Sequence, residues 1–309
     1  MNKSCFLFFL SIIIFLNFSC RKTDITPAFL VLTVEDFQDR IDNNLSEFNR
    51  IHDTSYDQEE FDIIRQQNFT DVLVSLNGKQ LGYWNLPCRI PLLPDYSGNN
   101  NIRIIPCVRI PNTTLTTVPY HFLKPVEVFL DIEKEGEYRF PNLKFEYVPS
   151  VAFPMLETFE QGTRFASLDS IYGARMEVSQ SMGRIFLSDS LPYFNVATSY
   201  FHLVGQENGQ RIQQFWEMRY MCDGEMTTYF NYIDPISGIT YAQDMIVLPS
   251  TKGSWKKVYI DLSNEIAWAA RGASRVSVRL GIRGNRNSNS GSAYFYFDHI
   301  KLISMRAPY

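Results

Sequence analysis

From Thr70 almost to its C-terminus the sequence is written in period two, and that pattern decides the fold class. DVLVSL alternates, Asn77-Gly78 follows, and Gln80 to Trp84 returns. An Asn-Gly pair between alternating runs is a strong hairpin signal, because the turn that fits strand twist needs positive φ at both central residues. RIPLL, NIRIIPCVRI, PVEVFLDI and YRFPNLKFEYV continue the pattern, with the turn-rich DYSGNNN after the first. Pro149 and Pro154 bracket a linker. Beyond it GRIFLSD, ATSYFHLVG, QQFWEMRYMC, MTTYFNYI, ITYAQDMIVL, WKKVYIDL, RVSVRLGIR and AYFYFDHIKLI each read as a strand, with RGNRNSNSGS a polar loop before the last. Short strands spaced by turn residues, with hardly a helical period between them, predict a mainly β chain. The expected architecture is a small β-sandwich over 29–149 and a two-sheet β-sandwich jelly roll over 150–309.

One stretch departs from period two. After the strand AFLVLT, Phe37, Ile41, Leu45, Phe48 and Ile51 recur at steps of four, four, three and three, which predicts one helical insertion over about 35–52. The polar HDTSYDQEE then loops back to a strand near 61–66.

The N-terminus is an address. Residues 1–19 carry one Lys, an apolar run from Cys5 to Leu16 that is too short for a good membrane span, and the small Ser19, as a signal peptide does. Cys20 follows directly, then the polar Arg21, Lys22, Thr23 and Asp24 of a tether reaching to residue 28. This resembles the lipoprotein signals of Bacteroidota, with Leu16 one place early and Phe18 where a small residue is usual. The resemblance implies an acylated Cys20, membrane lipid as a partner, and an outer-membrane location. Several acyl chains at about 0.8 kcal/mol per buried CH₂ make a stable anchor. Arg21 and Lys22 ahead of Asp24 leave the leaflet open, and an ordinary secretory peptide ending beside a cysteine is the alternative.

VSLNGKQLG, Pro87, RIPLL, Gly98 and IRII resemble the PEGA domain, an envelope-associated β-module. LPCRIPLL, IRIIPCVRIPNTT and PYHFLKP are similar to uncharacterised Bacteroidota lipoproteins that join such a module to a C-terminal β-sandwich. The likeness implies architecture and location and carries no catalytic residue. In outline the second half is similar to galactose-binding-like jelly rolls, LETFEQG and FYFDHIKLI resembling their paired first and last strands. That implies a structural calcium with Glu157 or Glu160 and Asp298 as oxygen ligands; the alternative is that these acids face solvent at a strand edge.

Cys88 and Cys107 sit in matching Pro-Cys contexts. Positions summing to 195 pair around a Ser97-Gly98 turn, which would set the two thiols opposite each other, about 4.5 Å apart at Cα, within disulfide reach. A bulge in DYSGNNN would leave two buried thiols instead. Cys222 is expected in the core. His52, His121, His202 and His299 are scattered and form no zinc motif, and no nucleophile elbow, phosphate loop or dinucleotide fingerprint occurs. Glu207, Glu217, Glu225, Asp234 and Asp244 are the pool from which a glycosidase pair could be drawn. Asp169-Ser170-Ile171 and Asp189-Ser190-Leu191 resemble the O-glycosylation pattern of Bacteroidota.

Along QQFWEMRYMC, Phe215, Glu217 and Arg219 share one parity and Trp216, Met218 and Tyr220 the other. If the second set faces out, Trp216 and Tyr220 form a platform for sugar rings or a protein; if it faces in, Glu217 and Arg219 are exposed. Twenty-nine Lys and Arg against 33 Asp and Glu give a net charge of −4, with no general attraction to phosphate backbones, so nucleic acid is not an expected partner. The sequence therefore reads as a non-enzymatic binding or scaffolding subunit of an outer-membrane complex. A glycan-binding surface lipoprotein and a glycoside hydrolase are the alternatives.

Overall fold

The computed structural model describes residues 26–37, 41, 44–93, 98–111, 116–141, 143–169, 171–207, 209–271, 273–286 and 291–305. The signal peptide, Cys20, Ser97 and Ser170 lie outside them. The protein is mainly β, as its periodicity predicts.

Ala28–Leu32 pairs antiparallel with Cys88–Leu92 and parallel with Glu137–Arg139. Asp71–Leu76 lies between Lys79–Asn85 and the long Asn99–Ile110, whose other edge takes Val126–Asp131 along its first half and Thr116–Pro119 along its second. The Asn77-Gly78 hairpin forms with φ of 52° and 77°, the pair of positive values that the dipeptide signals. The 195-sum register does not form. Cys88 pairs with Leu32, Cys107 pairs with Asp71 and Pro119, and both thiols are free, so the expected disulfide is absent.

The helical insertion is smaller than its period suggests. Helix α1 is Leu45–His52, and Asn44 begins it by accepting the Glu47 N–H on its side chain. Asn competes with helical backbone bonding and serves better as a cap than inside a helix. Phe37 and Ile41 are nevertheless buried, Ile41 through a bridge to Phe145. The expected strand near 61–66 is instead helix α2, Gln58–Arg65, opened by a capping box in which Asp57 accepts from Glu60 N–H and Glu60 reaches back to the Asp57 N–H.

The second half is a two-sheet sandwich. One sheet runs Ala166–Ser167, Tyr193–Ala197, Arg275–Asn285, Met226–Ile233, Thr240–Leu248; the other runs Glu177–Ser179, Met182–Leu187, Ala293–Met305, Gln214–Cys222, Lys256–Asp261. Val151–Glu157 pairs with the last strand, Ile300 opposite Glu157. Between the sheets lie Trp216, Met218, Tyr220, Phe230, Leu280, Phe295 and Phe297, and helix α3, Ser263–Ala270, closes one end with Ile266, Ala269 and Ala270.

The Gln214–Cys222 strand is buried on both faces, where a single sandwich would cover only one. Trp216 and Tyr220 face the sandwich core. Phe215, with Tyr259 and Ile303 from the flanking strands, joins the N-terminal core instead, the Phe215 ring 5.4 Å from Phe122 and 6.0 Å from Tyr120. Burying such a side chain contributes about 1.5–3 kcal/mol. Val151, Phe153 and Leu156 belong to that same N-terminal core, so the packing continues across residue 150.

Candidate functional site

Two regions concentrate polar side chains: the joint between the two halves, and the outer face of the sandwich sheet that contains Arg275–Asn285, on the far side of the sandwich. At the joint Glu217 is fully buried and serves as a hub. Its Oε1 accepts from the Tyr120 hydroxyl at 2.5 Å, and its Oε2 lies 3.2 Å from Lys257 Nζ and 3.3 Å from Lys301 Nζ. Lys301 also donates to the carbonyls of Ile63 and Ile64 at 3.2 and 3.0 Å, and Lys257 to that of Gln66. These are carbonyls at the C-terminal end of α2, which no intrahelical donor satisfies and which carry the negative end of the helix dipole. The Gln67 amide completes the set, its oxygen 2.7 Å from Lys301 Nζ and its nitrogen 3.2 Å from Glu217 Oε2. Burial pushes the Lys301 ammonium down to about 7 against the pull of Glu217, and raises Tyr120, Tyr147 and Tyr259 well above the usual phenol range.

The sequence-predicted residues are thereby relocated. Trp216 and Tyr220 are core residues and form no exposed platform, and Glu217 is not exposed either, because the N-terminal half covers its face of the sheet. Arg219 alone reaches the surface, 3.5 Å from Asp298 and stacked over Trp255. The calcium trio does not converge. Glu157 accepts the N–H groups of Phe159 at 3.1 Å and Arg164 at 2.5 Å within its own loop, Asp298 faces Arg219, and Glu160 is exposed. Among the described residues no group of three such ligands could hold a metal ion. Of the glycosidase pool, Asp234 pairs with Arg271 at 2.9 Å, Asp244 pairs with Arg283, and Glu225 lines the cleft described next.

That cleft, ≈ 770 Å³ and open to solvent, lies on the outer face of the sheet that contains Arg275–Asn285. RVSVRLGIRGN alternates strictly, so Val276, Val278, Leu280 and Ile282 fill the core and Arg279, Gly281, Arg283 and Asn285 point outward. Register places Asn195, Arg283, Thr227 and Val247 in one row across four strands, with Tyr193 and Asn285 in the next. The row is pre-set by its own contacts. Tyr229 donates to Asn195 Oδ1 at 2.6 Å, Arg283 pairs with Asp244 at 2.5 Å, and the Arg283 guanidinium lies 5.7 Å over the Tyr229 ring. Tyr229 lies over Gly281, where an added Cβ would meet its ring at 2.1 Å. At one rim Tyr193 donates to Asp169, whose loop exposes Ile171 and Tyr172. Further along the same face, outside the cleft, Asn231 accepts the Arg279 guanidinium at 2.9 Å and Arg279 lies over Tyr200. The strict alternation of the Arg275–Asn285 strand was the sequence signal for this face.

No family model matches the chain. No curated protein matches it either. Among solved structures it is similar to a family 29 carbohydrate-binding module at 5% identity and a TM-score of 0.31, over 50% of this chain and 92% of that one. A family 29 module from Piromyces equi gives 10%, 0.32, 50% and 91%, and a family 61 module solved in complex with β-1,4-galactotriose gives 9%, 0.28, 47% and 93%. These values assign no residue and no ligand to this chain.

Proposed function

We propose that the protein is a non-enzymatic glycan-binding lipoprotein, held at the outer membrane by an acylated Cys20, with its ligand on the outer face of the sandwich sheet that contains Arg275–Asn285. The observation that carries this is the set of planar polar groups, Asn195, Arg283 and Glu225, that lines an open cleft beside the Tyr193 ring, with Asn195 held by the buried Tyr229 and Arg283 by Asp244. Amide, guanidinium and carboxylate groups match neighbouring sugar hydroxyls, which donate and accept at once, while aromatic rings suit the C–H faces of a sugar. Arg283 is paired with Asp244 and Arg286 with Asp189, and Asp223 and Glu225 also line the cleft, so the face carries no excess positive charge and favours a neutral over an acidic glycan. Its openness admits a chain and not only a single sugar.

A scaffolding role is the second reading, favoured by a different surface. Ile236, Ile239, Tyr241 and Trp268 are exposed together, with Arg271 over both rings. The test is retardation of the full chain carrying Cys20→Ser in native gels containing neutral polysaccharides. Retardation lost in Arg283→Ala and kept in Trp268→Ala supports the glycan reading, whereas a wild type that migrates alike in every polysaccharide refutes it.

A further inference from the structure

A second, smaller pocket of ≈ 310 Å³ opens at the joint, on the opposite sheet from the glycan cleft. It is lined by Gln66, Gln67, Asn68, Arg219, Trp255, Lys256 and Lys257, with no carboxylate among them. The nearest acids are committed elsewhere. Glu217, beneath the floor, is shared between Lys257 and Lys301 through the same oxygen, and Asp298 reaches Arg219 at 3.5 Å with one oxygen. One carboxylate against two buried ammoniums leaves the floor short of negative charge, relieved in part by the α2 carbonyls. Burial first, and then Lys257, Arg219 and Lys301, hold the His299 imidazole down to about 4 against the pull of Asp62.

Within the pocket Arg219 makes one long contact to a carboxylate and is held flat by Trp255, 4.8 Å from its ring centroid, which leaves guanidinium donors available along its edge. Lys257 stands directly opposite Arg219 in the strand register and lines the same pocket, whereas Lys256, opposite the core-facing Tyr220, projects to the other face of the sheet. A guanidinium fork next to an ammonium, over a positive floor, is the arrangement that recognises a compact oxyanion. The opposite wall, Gln66 to Asn68, belongs to the N-terminal half, so an anion seated here touches both halves of the chain.

We propose that this pocket is an anion site taking a carboxylate, sulfate or phosphate group, independent of the glycan face. The experiment titrates the full chain carrying Cys20→Ser with sodium sulfate, inorganic phosphate or glucuronate, with sodium chloride holding the ionic strength constant. Tryptophan fluorescence, which Trp255 contributes to, and thermal midpoint are followed. The expected result is a saturable change at millimolar anion, weakened about tenfold or more in Arg219→Gln. Because Arg219 also packs on Trp255, Arg219→Lys supplies a second variant that keeps the charge and loses the guanidinium fork, with a smaller loss in the same direction. Saturation by sulfate and phosphate alone identifies a tetrahedral oxyanion, and by glucuronate alone a sugar acid; either supports the site. A change that grows without saturating, or that persists undiminished in Arg219→Gln, overturns it. Retardation by neutral polysaccharides is unaffected by these substitutions, so failure here leaves the glycan reading to its own test.

Discussion

Replacing Glu217 by Gln tests the joint directly. The substitution preserves volume and a contact to Tyr120 but removes the only carboxylate shared by Lys257 and Lys301, which sit 3.2 and 3.3 Å away and are 7% and 0% exposed. Removing one partner of a buried ion pair costs about 3–5 kcal/mol, because the remaining charge stays desolvated. Lys301, which burial already holds down to about 7, sheds its proton once Glu217 is gone, and the α2 carbonyls offset part of what remains at Lys257, so a loss near the lower end, about 3–4 kcal/mol, is expected. At roughly 2–4 °C per kcal/mol for a chain of this size class, the midpoint falls by about 6–16 °C. Urea unfolding read by far-UV circular dichroism supplies the number, with an unchanged m-value showing that the folded and unfolded states remain comparable. The decisive companion is the triple variant Glu217→Leu, Lys257→Met, Lys301→Met. If the loss comes from orphaned charge, this apolar replacement recovers most of it even though it breaks every ionic contact and leaves the α2 carbonyls without their lysines. A single variant losing under about 1 kcal/mol, or a triple variant no better than the single, would refute the reasoning.

Gly281→Ala is expected to lose about 1–3 kcal/mol of stability and the polysaccharide retardation together, because the new Cβ would lie 2.1 Å from the Tyr229 ring and push it off Asn195; calorimetry and native gels measure the two effects. Lys301 titrates near 7 when folded and at its ordinary higher value when unfolded, so between about pH 7 and 9 the unfolded state binds more protons and stability rises with pH. Above about 9, Cys88, Cys107 and Cys222, whose thiols burial raises to about 11, 12 and 11, retain protons that the unfolded chain releases, and stability falls; denaturation midpoints across that range should pass through a maximum. Cys88 and Cys107 are expected to react fully with an alkylating reagent under denaturing, non-reducing conditions, and mass spectrometry of a peptide linking them would disprove the free-thiol assignment.

The β architecture was legible because its signals are local. Asn77-Gly78 needs only its own backbone, and the alternation of RVSVRLGIRGN needs only one core on one side. Helix α2 was also legible in principle, since Asp57 and Glu60 spell a capping box, but its apolar FDII had been read as a strand. The candidate platform failed for a reason that lies outside its own sequence. Strand parity sorts side chains into two faces, and at Gln214–Cys222 both are buried because another part of the chain packs on the outer one. The disulfide expectation failed similarly: Cys88 and Cys107 lie close in sequence, yet their strands belong to different sheets, and sheet membership is set by partners at residues 32 and 71. Nothing local marks Glu217 as the hub of a network drawn from residues 63 to 301.

The C-terminal carbonyls of α2 are met by a lysine on the last strand, 237 and 238 residues further along. Order of synthesis turns this into a constraint. While the chain emerges, Phe122 and Tyr120 wait uncovered until Phe215 and Tyr259 arrive, and the Ile63 carbonyl waits for its lysine until almost the final residues, and such long-range closure is slow. A chain held open for that interval is exposed to proteases and to folding helpers. Trimming the last strand should therefore damage the first half of the protein as severely as the second.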